Sequence, residues 1–493
     1  MAEYISTRGG EKVPASKAVL DGIGTYGGLY VPTDLTPLDI DFSRLAEMSY
    51  EELQARVLHA MLDDYTEEEL QSVIAETPDD AFDSEHPVEL KCMGNAALAE
   101  LYHGPTLSQR DYGEMLLPKL IILGGRKNGL KEKLAVLSAS EGDQGAAVFH
   151  AFSGMPGMEV IVYSPKEGVT PVQEKLTAVQ EGFNLHGAGV RSGEPDTQLN
   201  VRELLNNVEY QEKLTNNGFR FSTASTGNIG VIAAYTANLF YIYGQMVHGA
   251  RVQAGEPVTL SIPTGSLAEA IAAVYAEKLG LPLGKIVLAC NENSILPTFM
   301  EEGSYDADVE FTETETPSMN IADPTNLERL LYELTGGDTS ATANYMNSIQ
   351  WMGGYDITDE MKEKLDAKFF CGCVSDEEVE EEMKRACEED QVILDPHAAA
   401  ASAALRAYQD DSSDDHAAVI LGTVSPLKSA EIVLNALGKP ENDPAQAVDA
   451  LAEMMGTEVP EALKGLFEKD SIHDKSINAE DVMSETTAIL QLM

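Results

Sequence analysis

From about residue 134 onward, short β-branched apolar runs alternate with segments whose apolar residues recur at helical spacing. That alternation predicts a parallel sheet wrapped by helices. The expected strands are Leu134–Ser138, Glu159–Tyr163, Asn184–Gly187, Val258–Ile262, Lys285–Cys290 and Ala417–Leu421, most of them closed by a polar turn. Ligands of open α/β sheets sit at the carboxyl ends of the strands, so those turns are where chemistry is to be sought. The first 85 or so residues read differently. A turn-rich start, with STRGGEKVPAS and YGGLYVP, leads into an acidic helical stretch, YEELQARVLHAMLDDYTEEELQSVIAE, whose amphipathic face is expected to pack on the body. The run Asp376–Asp390 has helical spacing and reads as a solvated face, and DDSSDD near residue 410 reads as a surface loop. Helix and turn signals alternate after about residue 440, and no internal repeat is seen.

The chain of 493 residues is longer than one core organises, so about two to four packed units are expected. Its 43% apolar and 23% charged residues exclude disordered, collagen-like and disulfide-scaffold classes. Charge changes the picture more. With 82 acidic residues against 33 basic, the net charge is -49, which argues against nucleic acid and membrane partners and requires a local positive site for any anionic substrate. The opening MAEYISTRGGEKVP lacks a basic segment followed by an apolar one, and no run reaches the roughly 18 apolar residues of a membrane span, so a cytoplasmic location is expected. The cysteines, Cys92, Cys290, Cys371, Cys373 and Cys387, are odd in number and scattered. They are expected to be structural thiols, with no metal site at the isolated Cys371-x-Cys373.

Residues Leu101 to Asp111 read LYHGPTLSQRD. This resembles the L-[FY]-H-G-P-T-x-x-F-K-D motif of the threonine synthases, which are fold type II pyridoxal phosphate (PLP) enzymes. Further landmarks follow in family order: YISTRG with GGLYVP, TPVQEKL, CNENSILPTF, PSMNIADPTNLERLLYELTG, LDPHAA and GTVSPLKSAE. The resemblance implies an α/β, tryptophan-synthase-β-like architecture. Its parts would be an N-terminal domain over 1–85, a large α/β domain over 86–135 and 225–440, a smaller α/β domain over 136–224 and a C-terminal helical extension over 441–493. It also implies PLP as cofactor and conversion of O-phosphohomoserine and water to threonine and phosphate. The strand ends before Ser140, Thr264 and Thr423 are then expected to converge on one cleft.

Four turns depart from the family pattern. Arg110 occupies the position of the lysine that forms an imine with PLP, after Gln109 where the family has Phe. A guanidinium stays protonated and has no lone pair to form an imine. Arg110 therefore reads as an anion-binding group or as the charge partner of Asp111 or a neighbouring acid. In the second turn, Thr264 and Gly265 are followed by Ser266, Leu267, Ala268 and Glu269. The resemblance implies Asn, Phe, Gly and Asn there, holding the cofactor phosphate at a helix N-terminus. Ser266 and Glu269 read instead as a capping box. The third turn, SASEGDQG, keeps Ser140 and Asp143 of a substrate-binding loop and departs at Glu141 and Gln144. Ser140 and Asp143 are expected to cap the following helix. In the fourth, FSTASTGNIGV, Ser225 replaces an Asn and Val231 an Arg, which removes a phosphate partner.

Scaffold positions persist: His103, Gly104, Pro105 and Thr106, and Thr423, whose family counterpart contacts the cofactor ring. His103 is expected to be a satisfied buried histidine, and His397 to brace its helix. Lys428 and Lys119 are the nearby lysines by motif position, the latter about 13 Å from Arg110 along a helix. Two functions follow from the resemblance. One is a family member without its cofactor chemistry, forming no stable covalent PLP adduct and binding a phosphorylated amino acid or a protein partner. The alternative is a functioning threonine synthase with a rescued active site.

Overall fold

The computed structural model describes residues 3–78, 80–140, 142–191, 194–307, 312–320 and 324–493. All six expected strands are present with slightly displaced ends, the largest shift being at Leu185–Val190. They divide between two sheets. The larger runs in the order Phe369–Cys373, Leu283–Cys290, Val258–Pro263, Ala418–Gly422, Ala96–Glu100 and Glu89–Met93, parallel except for the antiparallel last pair. The smaller is wholly parallel, in the order Ser476–Ile477, Leu185–Val190, Met158–Pro165, Lys133–Ala139 and Phe219–Thr223. Central strands such as Val258–Pro263 and Ala418–Gly422 are buried at every position. Layers cover both faces of the sheet, which is why these strands read as continuous apolar runs rather than alternating ones.

The helix Ile229–His248 is apolar around nearly its whole circumference and correspondingly buried. It packs against Ala268–Lys278, Tyr50–Met61 and Arg110–Glu114. The acidic N-terminal stretch forms two helices, Tyr50–Met61 and Glu67–Ala75, the second begun by a Thr66–Glu69 capping box. A three-stranded antiparallel sheet, Val13–Pro14, Glu3–Ser6 and Tyr30–Pro32, precedes them. Fully buried Arg329 ties this sheet to the body by donating to Tyr30 O, Gly227 O and Asn326 Oδ1.

Two readings of charged segments need correction. DDSSDD is not wholly a loop, because helix Pro396–Ser412 runs through Asp410 and Asp411 and ends only where Ser413 turns left-handed at φ 55°. Polarity alone does not stop a helix that is already packed. The run from Asp376 is helical to Arg385 but not merely solvated, since Val379, Glu382 and Met383 are buried. Glu382 accepts from Arg385, Ser402 and Arg406, which allows its carboxylate to face inward. Among the described residues no helix is long and apolar enough to cross a membrane.

Candidate functional site

The carboxyl ends of Lys133–Ala139, Val258–Pro263 and Ala418–Gly422 open on one cleft, with Arg110 at its centre. Arg110 begins the short helix Arg110–Glu114 and borders two adjoining cavities. One, of about 20 Å³, is walled by Arg110, Asp143, Gly265, Glu269, His397 and Thr423. The other, of about 70 Å³, is walled by Arg110, Ser138, Gln144, Ser225 and Ser266. Among the described residues no lysine lines either cavity.

The Arg110 Nη1 lies 3.5 Å from Glu269 Oε1, with the two side chains 11% and 6% exposed. It also donates to the Tyr235 hydroxyl at 3.4 Å. Of the two partners expected, the neighbouring acid is therefore Glu269; Asp111 turns away. The capping box at Ser266 and Glu269 does not form. Helix Ala268–Lys278 starts one residue late, after Leu267 in the left-handed region at φ 61°, with no side-chain cap. Ser266 Oγ instead accepts from Thr226 Oγ1 at 3.0 Å. A tertiary ion pair in a partly dry cleft outweighs one local cap.

Behind the smaller cavity lies a buried polar chain. Ser140 behaves as expected, its Oγ accepting from the N–H groups of Gly142 and Gly145. Asp143 does not cap. Its Oδ1 is 2.5 Å from the Lys428 Nζ, and its Oδ2 accepts from Ser318 Oγ at 2.6 Å and Gln173 Nε2 at 3.2 Å. Burial alone would raise the Asp143 carboxyl, but the Lys428 ammonium and Ser318 hydroxyl outweigh it and hold it at about 2. Lys428 is fully buried and gives another N–H to Thr106 O at 2.9 Å, so its ammonium is committed to this pair. His397 braces as expected: its Nδ1 bonds Asp395 Oδ2 at 2.5 Å and its Nε2 accepts from the Ser318 N–H at 3.1 Å. With Nε2 accepting, the proton sits on Nδ1.

The motif turn is held by Asp111, whose carboxylate accepts from Thr106 N–H at 2.9 Å and Thr106 Oγ1 at 2.7 Å. Gly104 is needed here, since a Cβ there would lie 2.7 Å from Asp111 Oδ2. His103 sits outside the cleft, between Asp83 at 2.7 Å and Glu100 at 3.2 Å. Burial opposes its charge, but the two carboxylates outweigh that and raise it to about 9. Gln144 donates to Glu114 Oε1 at 2.6 Å, and the Ser225 Oγ accepts from Gly227 N–H. Val231 is fully buried in its helix, against Gly113. Thr423 O accepts from Gln109 N–H at 2.8 Å, tying the last strand end to the motif turn. Lys119 lies on the separate helix Leu117–Lys127. Glu141 is outside the described residues. Sequence reasoning missed Tyr235, which sits inside an apolar helix with no signal of its own. It also missed Ser318, although PSMNIADP around it is a landmark.

The arrangement of two α/β layers, with a cleft at converging strand ends and its site residues on the turns, has the architecture of the fold type II PLP-dependent enzymes. PLP-bound threonine synthase from Brucella melitensis superposes with a TM-score of 0.84 at 24% identity, covering 100% of this chain and 99% of that one. Threonine synthase from yeast gives 0.82 at 24% identity, covering 99% of each. Residues 3–77 match the family model Threonine synthase N terminus. The chain is 29% identical over 458 residues to threonine synthase of Pseudomonas aeruginosa, covering 90% of this chain and 93% of that protein. It is 27% identical over 425 residues to the Schizosaccharomyces pombe threonine synthase, covering 80% and 81%. Over most of its length the chain is thus similar to threonine synthases.

Proposed function

We propose that this family member has lost PLP chemistry and that its cleft serves a binding or regulatory role. The observation that carries the reading is the Arg110–Glu269 pair, 3.5 Å apart and nearly buried. A guanidinium that forms no imine stands where the family has its lysine, and a carboxylate faces the place of a dianionic phosphate. These residues do not fit a PLP held by a lysine imine and a phosphate-binding helix turn. Lys428 supports the same reading, since its amine is spent on Asp143. The cofactor positions Thr264, Gly265 and Thr423, and the substrate positions Ser140, Asp143, Gln144 and Ser225, are then a scaffold around a reshaped pocket. The ligand would be a small phosphorylated amino acid or its relative, or a protein partner, in the cytoplasm.

The second reading, a working threonine synthase acting on O-phosphohomoserine, is favoured by the 29% identity that spans nearly the whole length of a curated enzyme. A lysine imine of PLP absorbs visible light and a free lysine amine does not, so the two readings separate cheaply. Dialysed protein titrated with PLP, reduced with borohydride and peptide-mapped should yield no specific pyridoxyllysine. A single modified lysine in the cleft, with threonine formed from O-phosphohomoserine, overturns the first reading.

A further inference from the structure

Three of the five cysteines, from segments about eighty residues apart in sequence, meet at the carboxyl ends of neighbouring strands. Cys290 closes the strand Leu283–Cys290 and stands opposite Cys373 in the register with Phe369–Cys373. Cys371, two residues before Cys373, shares its face because side chains alternate along a strand. The Cys290 and Cys371 sulfurs are 3.3 Å apart, and all the cysteines are free thiols. A disulfide brings the sulfurs to about 2.05 Å, so an approach of roughly 1.3 Å separates the thiols from a bond. Exposure is graded along the group: Cys290 is buried, Cys371 half-buried and Cys373 exposed. Among the described residues no set of three His, Cys, Asp or Glu is placed to hold a metal ion, so metal binding does not account for the grouping.

The pair also touches the cleft. The Cys290 sulfur lies 3.1 Å from Thr264 Oγ1, and Thr264 leads directly into the Gly265–Glu269 turn that walls the smaller cavity.

We propose that Cys290 and Cys371 are a redox modification site, closing to a reversible disulfide under a peroxide. The half-buried Cys371 thiol, whose proton the Cys290 contact and burial hold on, loses it as its sulfur attacks the peroxide: an S–O bond forms, the O–O bond breaks, and the other oxygen leaves as water with that proton. The Cys290 thiolate then attacks the Cys371 sulfenic acid. The S–S bond forms, the S–O bond breaks, and the second oxygen leaves as water. Two thiols and one peroxide thus become a disulfide and two waters. The bond draws Cys290 away from Thr264 and loosens the turn that follows. The bond reopens by thiol exchange with a dithiol.

The test uses the full reduced chain, titrated with hydrogen peroxide, alkylated and peptide-mapped without reduction. Wild type and Cys373→Ser should both give a Cys290–Cys371 link that dithiothreitol removes, and Cys371→Ser should give none. Electron-transfer fragmentation of the wild-type linked peptide assigns the sulfur independently should a variant fail to fold. Hydrogen exchange over 264–270 should rise several-fold in the oxidised protein. A link that survives Cys371→Ser and disappears in Cys373→Ser overturns the pairing. Absence of any link at peroxide levels that oxidise exposed Cys92 overturns the site, and unchanged exchange over 264–270 overturns its connection to the cleft.

Discussion

Replacing Lys428 with Met tests the buried polar network behind the cleft. The side chain is fully buried, and its ammonium lies 2.5 Å from Asp143, itself 1% exposed. Met retains much of the stem's volume, so the loss is mainly electrostatic. The displacement of the Asp143 carboxyl from 3.8 to about 2 corresponds to roughly 2–3 kcal/mol of preference for the charged form. Breaking a buried pair by removing one partner costs about 3–5 kcal/mol. Asp143 would keep its bonds from Ser318 and Gln173, so Lys428→Met should cost about 3 kcal/mol, near the low end of that range. The double variant Asp143→Leu, Lys428→Met should recover much of this, with a coupling of at least about 2 kcal/mol in a double-mutant cycle. The assay is urea unfolding followed by circular dichroism and tyrosine fluorescence, whose coincidence checks for a single transition. Asp143 has a depressed folded-state value, so its contribution is present above pH 3.8 and is lost as pH falls towards 2; the coupling should fade across that window. A single-variant cost below about 1 kcal/mol, with no coupling, would refute the account of a committed ion pair.

Other consequences are separately measurable. On the proposed reading, Arg110→Lys alone should give no aldimine absorbance with PLP, because Glu269 still faces the position that the resemblance gives to the phosphate; adding Asn, Phe, Gly and Asn at 266–269 should recover cofactor binding. Threonine from O-phosphohomoserine made by the single variant would show that the phosphate turn has been over-read. By NMR, the His103 ring should titrate near pH 9, and the stability it contributes should be complete below about pH 6.5 and vanish as pH rises through 9. A ring titrating near 6.5 would mean that Asp83 and Glu100 do not hold it. Gly104→Ala should lower stability by at least about 1–3 kcal/mol, since its Cβ meets the Asp111 carboxylate, and an unchanged thermal midpoint would contradict that contact.

What the sequence disclosed depended on the range of the forces involved. Val258–Pro263 and Ala418–Gly422 were legible because complete burial leaves an unbroken apolar run. The location of the cleft was legible too, since turns at strand ends are local. Partners were not. Glu269 carries a good local capping signal, yet its carboxylate goes to Arg110, far away in sequence. Asp143 likewise passes over its own helix for Lys428, 285 residues on. Local patterns rank the options open to a side chain, while an ion pair assembled in a low-dielectric cleft chooses among them. The misreading of DDSSDD has the same cause, because packing of the helix's buried face extended it past its polar end.

The strand Ser476–Ile477 has a consequence for biosynthesis. It pairs with Leu185–Val190 at the edge of the smaller sheet, and Ile477, Val482, Leu490 and Leu492 complete that domain's core. On the ribosome, Leu185–Val190 emerges roughly 290 residues before its partner, which at about 5–20 residues per second is about fifteen seconds to a minute. Throughout that interval the nascent chain carries an open strand edge beside unfilled apolar surface, the condition under which chains pair with one another. The acidic composition keeps neighbouring nascent chains apart by charge repulsion while the edge waits.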